Sequence, residues 1–423
     1  VSGGKVLQLS AEEAASVTAN KVNNLRNSKK LALVLDLDHT LLHAIQIEGK
    51  TPSRLSATAK VIENTTGIGS GDGPDDNFVH HLPIEEIDRM TIKHLVMKKR
   101  PFLDEFLEKA SEFCQMTVYT AGTRRYAEAV ARVLDPNRRY FADRIVSRCD
   151  VANIRADGNE KSLERIYPGD ASMAVIMDDR EDVWRGPQSE QLLLVKPFMH
   201  FDPRPSDAAA AASGATAATA DNASSPPPDS LGTAARGVLD DQLRRCLQVL
   251  RQIHAQYYTV EAAAMKESGS AESKDSGAPR SVAVILQQLK RQILAGCTIT
   301  FSGLIPTNEE NPRNHTLWRL AESLGAQVSM EVLPRTTHLI ATHTQTQKVS
   351  AVLQRRASEV WVLHPDWIIY CRWSLSRCHE ATFMLNQLPP GQALPSPKMD
   401  YTPIAPPPAP SSSCSAATTA STN

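Results

Sequence analysis

The stretch Leu31-Ala-Leu-Val-Leu-Asp36-Leu-Asp38-His-Thr40 decides the fold. Leu31 to Leu37 is a short apolar run, the pattern of a strand buried on both faces. Residues i and i+2 of a strand face the same way, so Asp36 and Asp38 converge at its C-terminal end. In open α/β sheets, ligands bind outside that end. Two adjacent carboxylates repel each other unless a cation sits between them. The plainer alternative is a pair of solvated loop acids or helix caps, because short Asp patterns are common by chance.

Further along, strands and helices alternate. Arg100 to Phe113 carries Phe102, Leu103, Phe106, Leu107 and Ala110 at helical spacing. Met116–Tyr119 reads as a strand, Arg125–Leu134 as a helix stopped by Asp135-Pro136, and Ala174–Met177 and Leu192–Val195 as further strands. The expectation is an α/β fold with a doubly wound parallel sheet covered on both faces. Between Gly49 and Asp76 lies a Gly/Ser/Thr-rich insertion, GIGSGDGPDD within it, that reads as a surface loop.

A second strand, Ala174–Met177, also runs straight into acids, Asp178-Asp179. Paired acids at two strand ends fit one Mg²⁺ site, since Mg²⁺ takes hard oxygen ligands and keeps waters plus a substrate phosphate. Thr120-Ala-Gly-Thr123 follows Met116–Tyr119, and its hydroxyl and small residues suit a phosphate approached by backbone N–H groups. Lys161 and Arg100 could supply positive charge, although either alone is more often a surface charge. His39 and His43 lack a partner at metal-ligand spacing and read as packing or surface residues.

In the whole chain of 423 residues, 46 Lys+Arg face 47 Asp+Glu. That near-neutrality argues against a chain-wide polybasic surface for nucleic acid or lipid. Seven Cys with no CxxC pair argue against a zinc ribbon or a disulfide framework, and fit a reducing compartment. No apolar run approaches the ~18–20 residues of a membrane span. The first residue is Val1 with no signal peptide after it, so the chain reads as a fragment. Composition divides it into a helical segment at 1–27, opened by the capping box Ser10-x-x-Glu13, and an α/β block at 28–201. A Pro/Ala/Ser linker at 202–235 reads as disordered, and an amphipathic helix follows at 236–260, where Val238, Leu239, Leu243, Leu247, Leu250, Ile253 and Tyr257 form one stripe. A second linker at 261–280, a second α/β block at 281–385 and a disordered tail at 386–423 complete the division.

Four strings, DLDHTLLH, KKRPFLDEFL, VYTAGTRRYAEAVARVLDP and VIMDDREDVW, occur in that order and resemble the four motif stretches of the haloacid-dehalogenase superfamily. More narrowly, they are similar to Fcp-type phosphatases of the RNA polymerase II C-terminal domain. The resemblance implies Asp36 as the nucleophile that forms an aspartyl-phosphate, and Asp38 as the acid that protonates the leaving oxygen and then activates water. It implies Thr40 as a loop anchor, Thr120 as a holder of phosphoryl oxygens, Lys161 as a charge balance and Arg100 as the arginine before a proline. Asp178 and Asp179 would complete the Mg²⁺ site with Asp36 and Asp38, Asp179 being the better direct ligand. An unperturbed Asp has a pKa near ~3.9, so Asp38 must be shifted upward to carry a proton at neutral pH.

The second block shows a strand ending in Phe301-Ser302-Gly303 and helix-spaced Leu317 to Leu324 closed by Gly325. The strands THLIA (337–341) and EVWVL (359–363) follow, then a helix beginning near Pro365. It resembles a BRCT domain, which Fcp-type phosphatases also carry. That resemblance implies a phosphopeptide pocket at Ser302, Gly303 and Lys348; the alternative is a simple turn and a solvated lysine. Cys371, Cys378 and His379 are too sparse for a metal site.

The combined expectation is a Mg²⁺-dependent protein serine/threonine phosphatase acting on the phosphorylated repeat tail of RNA polymerase II. An open groove between the two blocks would take that extended peptide. Nuclear residence and contact with general transcription factors such as TFIIF are further implications of the resemblance. Two alternatives stay open: a superfamily phosphatase for another phosphoprotein or a small metabolite, and a non-catalytic phosphopeptide-binding scaffold.

Overall fold

The computed structural model describes residues 11–47, 79–86, 91–150, 160–201, 240–267, 281–306, 308–354 and 360–385. Ser10 of the capping box, the GIGSGDGPDD insertion, the 202–235 linker and the 386–423 tail lie outside them.

Strand β1 (Leu31–Leu35) is apolar on both faces and wholly buried. It is the central strand of a parallel sheet with the order β6 (Ile145–Val146), β5 (Cys114–Tyr119), β1, β7 (Ala174–Asp178), β8 (Leu192–Leu194). Leu35 pairs with Val118 on one side and Met177 on the other. That register brings the residues after β1, β5 and β7 out level at one edge of the sheet. Helices α1 (Ala11–Asn27), α2 (Leu103–Phe113) and α3 (Arg124–Leu134) accompany it. α2 buries Leu103, Phe106, Leu107, Ala110 and Phe113, the three-and-four spacing of a one-sided helix. Asp135 ends α3 as expected, and its carboxylate accepts the backbone N–H groups of Arg139 (2.7 Å), Tyr140 (2.8 Å) and Phe141 (2.8 Å).

The alternating strand–helix reading needs one correction. A second, antiparallel sheet stands between β1 and α2, with the order β2 (Leu42–Ile47), β4 (Thr91–Lys99), β3 (Val79–Glu86). Pro83 and the paired His80-His81 hide β3 from a periodicity reading, and Pro is tolerated there because β3 is an edge strand. β2 leaves the acidic loop directly and β4 returns the chain to Arg100, so this sheet closes on the acidic edge.

The interdomain helix α4 runs Gln242–Glu267 and buries Leu243, Leu247, Leu250, Ile253 and Tyr257 in the first core, beside α2. The expected linker start at 261 is therefore a correction: Glu261-Ala-Ala-Ala-Met-Lys-Glu267 consists of strong helix formers, and the Ser/Gly-rich composition starts only at Ser268. α5 (Val282–Gln292) also packs Val282, Leu286 and Leu289 into the first core, although it belongs to the block read as 281–385.

The second sheet is parallel, with the order β10 (Gln327–Ser329), β9 (Thr298–Ser302), β11 (His338–Ala341), β12 (Trp361–Leu363). Helices α6 (Thr316–Ser323), α7 (Gln347–Gln354) and α8 (Asp366–Ser374) connect or follow these strands. β10 escaped the sequence reading because three residues with one apolar side chain carry no pattern. The two cores touch: Lys196 Nζ lies 5.0 Å from the Tyr370 ring centre, Gln242 Nε2 donates to Trp373 O (2.7 Å), and Arg372 pairs with Glu181 (2.7 Å). Among the described residues, no helix is long and apolar enough to cross a membrane.

Asp135→Ala strands three backbone donors close to β6. A loss of about 2–3 kcal/mol is expected in urea unfolding; a loss below about 0.5 kcal/mol contradicts the capping role.

Candidate active site

The edge of the first sheet gathers the acids. Asp36 leaves β1, Asp178 ends β7 and Asp179 follows it; each offers a carboxylate oxygen, and the three atoms lie within 4.8 Å of one another. Lys161 stands between two of them. Its Nζ donates to Asp36 Oδ1 (2.6 Å) and to Asp178 Oδ2 (2.6 Å). Lys161 is held by its own backbone, which donates to Val183 O (2.9 Å), and its ammonium faces the Tyr119 and Trp184 rings at 5.8 and 5.7 Å. Asp178 is further tied by Trp184 Nε1 (2.8 Å) to Oδ2 and by Arg180 N (2.9 Å) to Oδ1.

Thr40 ties the acidic loop to the end of β7. Its Oγ1 accepts from Asp179 N (3.0 Å) and donates to Asp179 Oδ1 (3.3 Å). His39 takes the left-handed conformation (φ 61°), which turns the chain from Asp38 back into β2. Asp38 stands apart from the three converging acids and accepts a hydrogen bond from the Tyr126 hydroxyl of α3. Thr120 is buried after β5, and its Oγ1 accepts Gly122 N (3.0 Å).

Burial sets the electrostatics. It holds the Asp36 carboxyl well above the usual carboxylate range, against the pull of Lys161. It raises Asp38 too, with Tyr126 opposing, which is the direction a proton carrier near neutral pH requires. Asp179 is pushed up to about 6 by burial and by neighbouring Asp178. Burial works against the Lys161 ammonium, but Asp36 and Asp178 outweigh it and raise its pKa. Three carboxylates against one ammonium leave roughly two negative charges uncompensated in a buried cleft, and a divalent cation with hard-oxygen preference fits that deficit. Asp36 accepts one side-chain hydrogen bond, from Lys161, and Asp179 one, from Thr40, so their carboxylates suit Mg²⁺.

Arg100 is elsewhere. Its side chain is fully buried behind the acidic loop: Nη1 donates to Thr40 O (3.0 Å), Nη2 to Lys196 O (2.9 Å), and Nε to Asp240 Oδ2 (3.1 Å). It touches none of the converging acids and acts as a clamp. His43 is a packing residue as read. Its Nδ1 accepts the N–H groups of His200 (2.9 Å) and Phe201 (3.1 Å), and burial lowers its pKa to about 4. In the second domain, Ser302 is buried and donates to Thr346 Oγ1 (2.7 Å), while Lys348 Nζ donates to Phe301 O (3.1 Å) and to Met330 O. The Ser302 hydroxyl and the Lys348 ammonium are thus both engaged inside the domain.

Tyr126 and Trp184 are the site residues that sequence reasoning missed. Both lie inside the quoted motif strings. A signal existed for Tyr126: it sits three residues past the helix cap Thr123, in the first turn of α3, above the sheet edge.

The comparisons agree with this geometry. A family described as NLI interacting factor-like phosphatase matches residues 31–211, and the BRCA1 C Terminus (BRCT) domain family matches residues 289–372. The fold and the acidic edge thus define a phosphatase domain with a BRCT domain behind it. The Arabidopsis thaliana protein "RNA polymerase II C-terminal domain phosphatase-like 4" is 30% identical over 387 residues, which cover 91% of this chain and 76% of that relative. The chain belongs to the RNA polymerase II C-terminal domain phosphatase family. An RNA polymerase II C-terminal domain phosphatase of Schizosaccharomyces pombe is 25% identical, over 90% of this chain and 61% of the relative. The chain therefore spans less than two thirds of that longer relative. The solved structure described as "The Structure of Fcp1, an essential RNA polymerase II CTD phosphatase" superposes with a TM-score of 0.62 at 27% identity, covering 87% of this chain and 99% of that one.

Lys161→Met leaves Asp36 and Asp178 buried without their counter-charge. The chain should lose about 3–5 kcal/mol in denaturant unfolding with chelator present; an unchanged midpoint would show that the ammonium does not hold the acids together.

Proposed function

We propose that this chain hydrolyses phosphoserine or phosphothreonine in the repeat tail of RNA polymerase II, with Asp36 as the nucleophile and Mg²⁺ at Asp36, Asp178 and Asp179. The observation that carries the reading is the buried Asp36–Lys161–Asp178 bridge with Asp179 beside it at the sheet edge. The substrate comes from the family, whose members are named for that tail.

In the first step, an Asp36 carboxylate oxygen attacks phosphorus and the bond to the serine or threonine oxygen breaks. Asp38 gives that oxygen its proton. In the second step, Asp38 takes a proton from water, which attacks the aspartyl-phosphate, and Asp36 is restored with release of phosphate. Bound Mg²⁺ would supply charge neutralisation for a group that carries about −1.5 to −2 at pH 7. Lys161 keeps one Asp36 oxygen fixed, so the other is the one aimed at substrate. Tyr126 holds Asp38 in a set orientation, and the Thr120 hydroxyl, itself fixed by accepting Gly122 N, offers a donor for a phosphoryl oxygen. The same reading puts the chain in the nucleus, in reach of general transcription factors such as TFIIF. Capture of a second phosphopeptide at Ser302, Gly303 and Lys348 would require Lys348 to leave the Phe301 and Met330 carbonyls.

The deciding measurement is Mg²⁺-dependent phosphate release from singly phosphorylated repeat peptides, beside a sugar phosphate. Peptide turnover should dominate, and Asp36→Asn should remove it while Asp38→Asn lowers it at least about 100-fold. Preference for the sugar phosphate, or full activity of Asp36→Asn, would overturn the reading.

Metal and pH should be linked. The folded-state pKa of Asp179, about 6, lies above its ordinary value of 3.8, so its contribution to stability is present below about pH 4 and lost as pH rises through about 6. A bound cation favours the ionised acid. The rise in melting temperature given by Mg²⁺ over chelator should therefore be small at pH 5 and grow by pH 7.5. A Mg²⁺ effect independent of pH would contradict the placement of Asp179 at the cation.

A further inference from the structure

The clamp around Arg100 reaches further than the acidic loop. Asp240 precedes α4 and is 140 residues away in sequence from Arg100. Its Oδ2 receives both Nε (3.1 Å) and Nη2 (3.0 Å) of Arg100, whose side chain is fully buried. Its Oδ1 accepts Gln242 N (2.9 Å), which locks the carboxylate to the start of the helix. From Arg100, Nη1 holds the Thr40 carbonyl (3.0 Å) and the backbone N–H holds the Leu41 carbonyl (2.9 Å). From Thr40, the hydroxyl exchanges two hydrogen bonds with Asp179. The line Asp240–Arg100–Thr40–Asp179 is continuous, and its two middle members are buried.

We propose that Asp240 is a positioning residue for the cation site, acting through Arg100 and Thr40 on Asp179. The physical reason is that a buried guanidinium needs its counter-charge. Without Asp240, Arg100 keeps two carbonyl partners but no anion, and it is drawn toward solvent or toward another carboxylate. Either shift releases the Thr40 carbonyl and loosens the hydroxyl that orients Asp179. Partners behind a metal ligand fix its geometry in this way and typically matter by 10- to 100-fold. Asp240 stands two residues further back, so an effect of about 3- to 10-fold follows. Gln242, two positions on, donates to Trp373 O of the BRCT domain at 2.7 Å, so the start of α4 touches the BRCT domain and the clamp at once.

This inference rests on the Mg²⁺ reading above, and the test separates the two. Calorimetric Mg²⁺ affinity and the Mg²⁺ half-saturation of peptide hydrolysis are measured on the full chain for wild type, Asp240→Asn, Asp240→Ala and Arg244→Ala. Arg244 lies on the same helix, pairs with Glu105 (2.7 Å), stacks on the Phe102 ring (3.7 Å) and, among the described residues, has no hydrogen bond or ion pair to Arg100, so it controls for loosened docking of the helix. Asp240→Ala should weaken Mg²⁺ binding about 3- to 10-fold by both readouts, with Asp240→Asn in between. The peptide KM at saturating Mg²⁺ and the Mg²⁺ affinity of Arg244→Ala should stay at wild-type values. Wild-type affinity in both Asp240 variants, or an equal shift in Arg244→Ala, overturns the positioning role alone. A wild-type chain that binds no Mg²⁺ overturns the cation reading and this inference together. If Asp240→Ala does not fold, Asp240→Asn decides, because it keeps the side chain's shape and one acceptor oxygen while removing the charge and the second acceptor.

Discussion

Lys161 sits between Asp36 and Asp178 at 2.6 Å from each, and the acidic edge of the sheet depends on it. The parallel register of β1 and β7 brings their terminal carboxylates level whether or not repulsion permits it. Carboxylates drawn from water into a buried cleft would take up protons, and the upward shift of Asp36 and Asp179 shows that tendency. One ammonium, fixed by its backbone bond to Val183 and walled by Tyr119 and Trp184, opposes it. The sheet supplies the crowding and the lysine makes the crowding tolerable. What remains is a deficit of positive charge, which a cation can fill.

The acids are not equivalent. Asp178 has the most protein partners, Trp184, Lys161 and the Arg180 backbone, and is the most constrained of the three. Asp36 accepts from the Lys161 side chain and Asp179 from the Thr40 hydroxyl. Asp38 accepts from Tyr126 of α3 rather than from Lys161. Asp36 and Asp38, two residues apart in sequence, thus have different hydrogen-bond partners, while burial raises both. Behind them, the antiparallel sheet returns Arg100 to the loop, and the BRCT domain leans on Glu181 and Lys196 at the two ends of the same edge.

The parts legible in sequence were those with a short-range signature. Apolar runs that end in Asp, Thr or Asp-Asp located β1, β5 and β7, and the helical spacing of α2 and α3 was equally plain. Asp36, Asp178 and Asp179 converge because strand register carries them there, which is why a local reading could name them, whereas Thr40 came from the resemblance. Lys161 needed the motif resemblance, since a lone lysine is ordinarily a surface charge. Arg100 was named from the resemblance, by its place before a proline, as positive charge for the phosphoryl group, but its side chain bonds Thr40, Lys196 and Asp240 rather than the acids. Tyr126 and Trp184 were invisible as site residues because an aromatic ring on a helix or in a loop reads as core. The strands β2, β3 and β4 were missed because Pro83 and the histidines break their alternation. The extension of α4 to Glu267 was missed because a weak composition break outweighed good helix formers.

The reach of the Arg100 clamp has a consequence for synthesis. Thr40, Arg100 and Lys196 belong to the first part of the chain, but the anion that completes the clamp arrives with residue 240, beyond a long intervening stretch. Domains emerging from the ribosome fold largely in order, and contacts between distant residues form last. A nascent polypeptide halted before α4 has its parallel sheet but also an arginine without its anion and a bare face where Leu243, Leu250 and Ile253 should lie. The catalytic half is therefore assembled only after translation has passed well beyond it.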